Sequence, residues 1–123
     1  MNLAETFVLN AEGAHLWVVI TRPDANGSVV IVNFTSHRAG CDETCIVEKG
    51  EHPFVTHKTV VAYEKARLCE PKAQDLFKKN ASTREPVKTD LLQKIQKGAL
   101  ESDLMVQKFQ ALVSASIAEQ KKG

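Results

Sequence analysis

The sequence changes its pattern of apolar residues near residue 63, and that change limits the folds open to the chain. Before it, short runs rich in β-branched and aromatic residues alternate with turn residues, as in HLWVVIT (15–21) and SVVIVNFT (28–35). After it, apolar residues recur at helical spacing, as in SDLMVQKFQALVSASIAEQKK, which begins at Ser102. Short strands followed by helices predict an α+β fold.

The first half predicts about five short strands. The segment RPDANG joins the two runs above and contains turn formers, so we expect a β-hairpin there. Further strands are predicted at ETFVLN (5–10), TCIVE (44–48) and TVVAY (59–63). Strands and turns at this spacing are typical of a small antiparallel β-barrel or a strongly bent sheet.

The second half predicts two or three helices. One spans 70–80, begins at Pro71 and ends at Asn80, and a second spans 87–98 and ends at Gly98. A third follows Ser102 as its N-cap, and NASTREP is expected to be a polar loop. The 123 residues suffice for a single domain, residues 1–123, with a β-rich barrel at 1–69 and a helical part packed on it at 70–123.

Composition and charge narrow the classes of function. No apolar run approaches the ~20 residues of a membrane helix, and the first ten residues lack a secretory signal, so we expect a cytoplasmic protein without membrane contact. Three cysteines then predict reduced thiols. The net charge is +1, yet residues 1–63 hold only four basic against seven acidic residues, which counts against strong non-specific binding to nucleic acid.

A zinc site is one interpretation of Cys41, Cys45, His52 and His57, because thiolate and imidazole are zinc ligands. Their spacing, C-x3-C-x6-H-x4-H, departs from the usual CxxC-type pattern. Cys45 also lies inside a strand pattern, where a cysteine usually serves as a small buried hydrophobe. We therefore predict no metal.

Acid–base catalysis by histidine is the other interpretation, with His15, His52 and His57 as candidate catalytic residues, since imidazole titrates near neutral pH. Thr35 and Ser36 end a predicted strand, where their hydroxyls can hold a phosphate, and Lys58 adds positive charge for the substrate. The structural alternative is that the histidines and hydroxyls cap turns or face solvent.

Two residues near His52 make it a stronger catalytic candidate than His57. Gly50 permits a sharp turn, and Pro53 restricts His52 to an extended backbone. We therefore expect substitution of His52 to affect activity more than substitution of His57, with little change in stability.

The order of the segments EGAHLWVVIT, NGSVVIVNFTS and KTVVAYEKARL, followed by helices, resembles the PemK/MazF family of toxin ribonucleases. The resemblance extends over roughly residues 7 to 70, from Gly13 and its strand to the strand that ends in Thr35 and Ser36. The family usually has an Arg-Pro pair before the first of these strands, and this chain has His15 and Leu16. The segment CDETCIVEKGEHPFVTHK does not match the family pattern.

The resemblance implies an SH3-like barrel and an endoribonuclease that cleaves single-stranded RNA without a metal or other cofactor. It also implies a homodimer, inhibited by an antitoxin whose flexible acidic segment covers the active groove. Because histidine replaces the expected arginine, a non-catalytic barrel that holds a partner protein or a nucleic acid remains the alternative.

Overall fold

The computed structural model describes residues 1–9 and 15–122, which form six antiparallel strands and three helices. Gly13 of the family pattern lies outside the described residues. The strands are β1 (Thr6–Leu9), β2 (Leu16–Val19), β3 (Val29–Ser36), β4 (Ile46–Val47), β5 (Thr59–Cys69) and β6 (Ala81–Arg84). The helices are α1 (Pro71–Lys79), α2 (Thr89–Glu101) and α3 (Gln107–Lys122). The predicted α+β class is confirmed.

The strands form one sheet in the order β4-β5-β3-β2-β1-β6. The predicted hairpin is present, since Trp17, Val18 and Val19 of β2 pair with Asn33, Val32 and Ile31 of β3. Within the described residues, the edge strands β4 and β6 do not pair with each other, so the sheet is not closed.

β5 is bent where it runs beside β3. Ile31 pairs with Arg67, but Asn33 pairs with Ala62, so residues 63–66 lie opposite Val32 alone. Extra residues in one strand bend it and increase its twist. The bend lets the long β5 pair with β3 at both ends and also with the short β4.

Both faces of the sheet carry apolar side chains. Consecutive residues of a strand point to opposite sides, so each strand contributes to both faces. On one side, which we call the α2 face, Val30, Val32 and Phe34 of β3 pack with Ile95 of α2 and Val113 of α3. On the other, the α1 face, the sheet contributes Phe7, Trp17, Val19, Val29 and Ile31, and Phe77 of α1 packs against them. Phe77 meets Phe7 and Trp17 edge to face, with ring centroids 5.7 and 6.3 Å away.

The predicted polar loop NASTREP is wrong, because residues 81–84 form the edge strand β6. Each of these residues pairs with β1, for example Thr83 with Phe7. The composition of β6 is polar because an edge strand presents much of its surface to solvent, and Thr83 and Arg84 are exposed.

The predicted ends of the last two helices are also wrong. α2 continues past Gly98 to Glu101, because Gly98 is a packing position: a Cβ there would overlap the hydroxyl oxygen of Tyr63 and lie 3.0 Å from Cys45 Cβ. Ser102 is the C-cap of α2, and its hydroxyl donates to the carboxylate of Asp42 (2.6 Å), whereas α3 begins at Gln107.

None of the helices in the described part of the chain has both the length and the apolar character needed to cross a membrane.

Candidate functional site

A depression of about 90 Å³ lies where β3 ends and β5 begins, and we call it the β3-end site. It brings together four of the six side chains that the sequence singled out. Its described lining consists of His15, Phe34, Thr35, Ser36, Phe54, Val55, His57 and Thr59. Two imidazoles and three hydroxyl groups therefore share one small concave surface.

Strand pairing holds the hydroxyl groups in place. Thr35 and Ser36 at the end of β3 pair with Val60 and Thr59 at the start of β5. The Thr59 hydroxyl donates to the carbonyl oxygen of His57 (3.0 Å), which fixes the backbone just before β5. The sheet thus sets the distance between the β3 hydroxyls and His57.

The His57 ring is hydrogen-bonded to Ser36. Its Nε2 lies 2.8 Å from Ser36 Oγ, and its Nδ1 lies 3.3 Å from Thr56 Oγ1. A hydroxyl can donate or accept, so both neutral tautomers of the ring are compatible with these contacts. His57 and Ser36 are both exposed, and a substrate hydroxyl or phosphate can replace either contact.

His15 has a defined orientation. Its Nδ1 lies 3.0 Å from the carbonyl oxygen of Phe34, and because a carbonyl only accepts, Nδ1 carries the proton. In the neutral ring Nε2 then carries the lone pair, and in the protonated ring it is a second donor. Nε2 is therefore the atom of His15 that can exchange a proton with a ligand.

His52 is placed differently from the other two candidates. Its ring is only 3% exposed, Nδ1 accepts from the backbone N–H of Phe54 (3.0 Å), and Nε2 donates to the carbonyl oxygen of Glu85. Both nitrogens are thus occupied by backbone groups, and the ring does not line the β3-end site. It acts on that site indirectly, since Phe54 is part of the lining.

Lys58 is exposed and does not line the β3-end site in the described structure. Its carbonyl oxygen accepts from the backbone N–H of His37 (3.1 Å). Beside it, His37 Nε2 lies 2.6 Å from Glu43 Oε2, a hydrogen bond that becomes an ion pair when His37 is protonated. The hydrogen bond from His37, its charge and the more distant Lys58 lower the pKa of Glu43.

Sequence reasoning missed the roles of Phe54 and Thr56 and the pairing of His37 with Glu43. The position of His37 directly after Ser36 was the available signal. Nothing local in the sequence indicated that the 50–58 segment folds back over the end of β3.

The described structure does not group the four residues of the zinc alternative as metal ligands. In the part of the chain that the structure describes, no three His, Cys, Asp or Glu side chains are grouped so as to hold a metal ion. Cys45 is buried against Tyr63, and burial raises the pKa of its thiol, which disfavours the thiolate that zinc requires.

The charge of the β3-end site depends on its histidines. Among the described lining residues there is no Lys, Arg, Asp or Glu. The site is therefore neutral when both imidazoles are neutral and positive when either is protonated.

No protein-family model matches this chain, and no curated protein sequence matches it.

Proposed function

We propose that the protein is a metal-independent endoribonuclease that cleaves single-stranded RNA, as the resemblance to PemK/MazF toxins implies. The observation that carries the proposal is the meeting of His15 and His57 with Thr35 and Ser36 in one depression. General acid–base cleavage of RNA needs two proton-transfer groups and hydrogen-bond donors for the phosphate, and these side chains supply both.

The proposed reaction uses the 2′-hydroxyl of the substrate as nucleophile. His57 Nε2, now 2.8 Å from the Ser36 hydroxyl, accepts the 2′-hydroxyl proton. The 2′-oxygen forms a bond to phosphorus while the bond from phosphorus to the 5′-oxygen breaks. Protonated His15 donates from Nε2 to the leaving 5′-oxygen, and Ser36 and Thr35 hold the phosphate oxygens. The products are a 2′,3′-cyclic phosphate and a 5′-hydroxyl.

The finer parts of the proposal come from the same resemblance. They are an SH3-like barrel related to the described sheet, a homodimer, a cytoplasmic location and an antitoxin partner. The proposed antitoxin contributes an acidic segment that covers the β3-end site.

The proposal differs from the sequence-based ranking in one respect. We assign proton transfer to His15 and His57, and we assign positioning of Phe54 to His52, because His52 has no free ring nitrogen. Lys58 keeps a proposed role only as an exposed charge near the incoming phosphate.

A non-catalytic binding module is the second candidate, and one observation favours it. The described lining has no permanent positive charge, whereas phosphate-cleaving sites normally direct such a charge at the transition state. In this case the histidines and hydroxyls hold a ligand through hydrogen bonds alone.

The test is cleavage of a short labelled single-stranded RNA by purified protein in the presence of EDTA. We expect cleavage, a bell-shaped pH–rate profile, and a loss of at least ~10²-fold in His57→Ala and in His15→Ala, the usual effect of one proton-transfer group. His37→Ala is the matched control, because His37 lies outside the depression. Intact RNA with the parent protein, or cleavage that EDTA abolishes, would contradict the proposal. The binding module predicts intact RNA and no growth arrest on expression.

A further inference from the structure

A second concave surface lies on the α1 face, between the sheet and α1, and we call it the α1 groove. Its volume is about 300 Å³, within the size range of pockets that hold small organic groups. The sheet provides a floor, α1 provides a wall, and one arginine lies at the rim. The residues used below are Ile31, Arg67, Cys69, Ala73, Leu76 and Phe77.

The rim arginine is held over an aromatic ring. The guanidinium carbon of Arg67 lies 5.1 Å from the centre of the Trp17 ring, and the Arg67 side chain is exposed. No carboxylate among the described residues forms an ion pair with Arg67. One face of the guanidinium is therefore supported by Trp17, while its charge and its donors remain available to a ligand.

The wall and floor of the α1 groove are apolar. Phe77 packs edge to face on Trp17, Leu76 is 58% exposed, and Ile31 and Cys69 close the floor. An exposed leucine beside a phenylalanine and an unpaired arginine suits a ligand that combines a flat apolar ring with negative charge.

The charge around the α1 groove also favours a ligand with negative charge. Residues 64–84, which form its rim, its wall and the neighbouring edge strand, contain six basic and three acidic residues. The net charge of this segment, +3, makes up most of the net +4 of residues 64–123, in contrast to the acidic excess of residues 1–63. Charge complementarity therefore favours an anionic occupant.

β3 connects the α1 groove to the β3-end site. Ile31 lines the groove and Thr35 lines the site, and alternation along the strand puts these two on the same side, whereas Phe34 and Ser36 of the site point to the α2 face. Four residues of strand separate them, a distance of about 14 Å. Asn33 lies between them, 3% exposed, and its Oδ1 has no hydrogen-bond partner within the described chain.

We infer that the α1 groove binds a base of the same single-stranded RNA whose phosphate occupies the β3-end site. This inference rests on the proposed function. Unstacked bases of RNA bind to aromatic side chains and to arginine planes, and Arg67 on Trp17, with Phe77 beside it, offers both. The groove selects the substrate near the scissile phosphate, and Arg67 contacts the base or the adjoining phosphate.

The test is direct binding of labelled single-stranded RNA, measured by fluorescence anisotropy, to protein that carries His57→Ala to prevent cleavage. Arg67→Ala and Ala73→Phe, which fills the groove from an exposed position of α1, should each weaken binding by about 10-fold or more. Arg67→Lys keeps the charge without the planar group and should give an intermediate loss. Lys108→Ala removes one exposed charge from α3 and should change affinity less than about twofold.

Trp17 reports where the RNA binds, because it is the only tryptophan of the chain. RNA should change its emission in the His57→Ala protein, and Ala73→Phe should reduce that change. Unaltered affinity in both groove variants would overturn the inference even if the parent protein cleaves RNA. If the parent protein binds RNA in a way that depends on Arg67 but leaves the RNA intact, the inference about the groove is supported and the proposed ribonuclease activity is refuted. Absence of RNA binding by the parent protein would overturn both.

Discussion

His52 shows how a single ring can support the candidate site without entering it. It links the segment that carries Phe54 and His57 to the carbonyl oxygen of Glu85, which also accepts from the Thr6 hydroxyl (2.8 Å). The buried position of His52 replaces the sequence-based expectation of little change in stability. We expect His52→Ala to lower the free energy of unfolding by about 2–4 kcal/mol, because it leaves the Phe54 N–H unpaired and opens a cavity. Urea denaturation measures this change.

His52→Asn is the matched comparison, since an Asn side chain can still accept from the N–H two residues on. It should cost less than His52→Ala. An alanine variant as stable as the parent would show that the two backbone hydrogen bonds of His52 contribute nothing.

The sequence supplied the residues of the site but not their arrangement. Gly50 does adopt a positive φ of 96°, as a sharp turn requires, so that local feature was predictable. The side chain of His52 nevertheless turns inward, because its partner Glu85 is 33 positions away and no local pattern reveals it. The approach of His57 to Ser36 likewise depends on the pairing of β3 with β5.

At the scale of elements, two carboxylates attach the connection between β3 and β5 to α2. Asp42 accepts from the Ser102 hydroxyl (2.6 Å), and Glu51 accepts from Lys94 (2.8 Å). Burial by itself would raise the pKa of each carboxyl, but hydrogen bonds outweigh this effect. Asp42 accepts hydrogen bonds from Ser102 and Thr44, and Glu51 accepts them chiefly from Lys94. Both pKa values are therefore lowered.

A carboxyl whose pKa is lowered in the folded state stabilises the fold fully above its unfolded pKa of about 4, and this stability is lost as the pH falls below that value. We expect the melting temperature to decrease as the pH falls from ~4 towards ~2. The decrease should be smaller in the double variant Ser102→Ala/Lys94→Met, because it lacks the side-chain donors of these two hydrogen bonds. Ser114→Ala, at an exposed position of α3, is the control. An equal decrease in all three proteins would contradict the assignment to Asp42 and Glu51.

At the scale of the whole molecule, local pattern predicted the strands and helices but not how the two halves interlock. α1 begins at Pro71 and stops before Asn80 as its sequence signals indicate. β6 escaped prediction because its partner β1 lies at the other end of the chain and its composition is that of a loop. The region 70–123 therefore does more than pack on the sheet, since it contributes an edge strand as well as helices on both faces.

This interlocking predicts that the two faces of the sheet unfold together. Gly98→Ala perturbs only the α2 face directly: the new methyl group must displace the buried Tyr63, whose hydroxyl donates to the Ile95 carbonyl oxygen (2.7 Å). Alanine normally gains up to about 1 kcal/mol over glycine within a helix. Overpacking here costs about 1–3 kcal/mol, so we expect net destabilisation.

Two probes follow the two faces during urea unfolding of parent and Gly98→Ala protein. Circular dichroism at 222 nm is dominated by the helices. Since α2 and α3 make up most of the helical residues, this signal reports mainly the α2 face. Trp17 emission reports the α1 face. Because both faces share the strands of one sheet, the substitution should shift both midpoints by the same amount. Gly98→Ala with Tyr63→Phe should recover part of the loss, since the hydroxyl that the methyl group meets is gone. If the midpoint of the Trp17 transition stays unchanged while the midpoint of the helical signal shifts, the α1 face folds independently of α2 and α3.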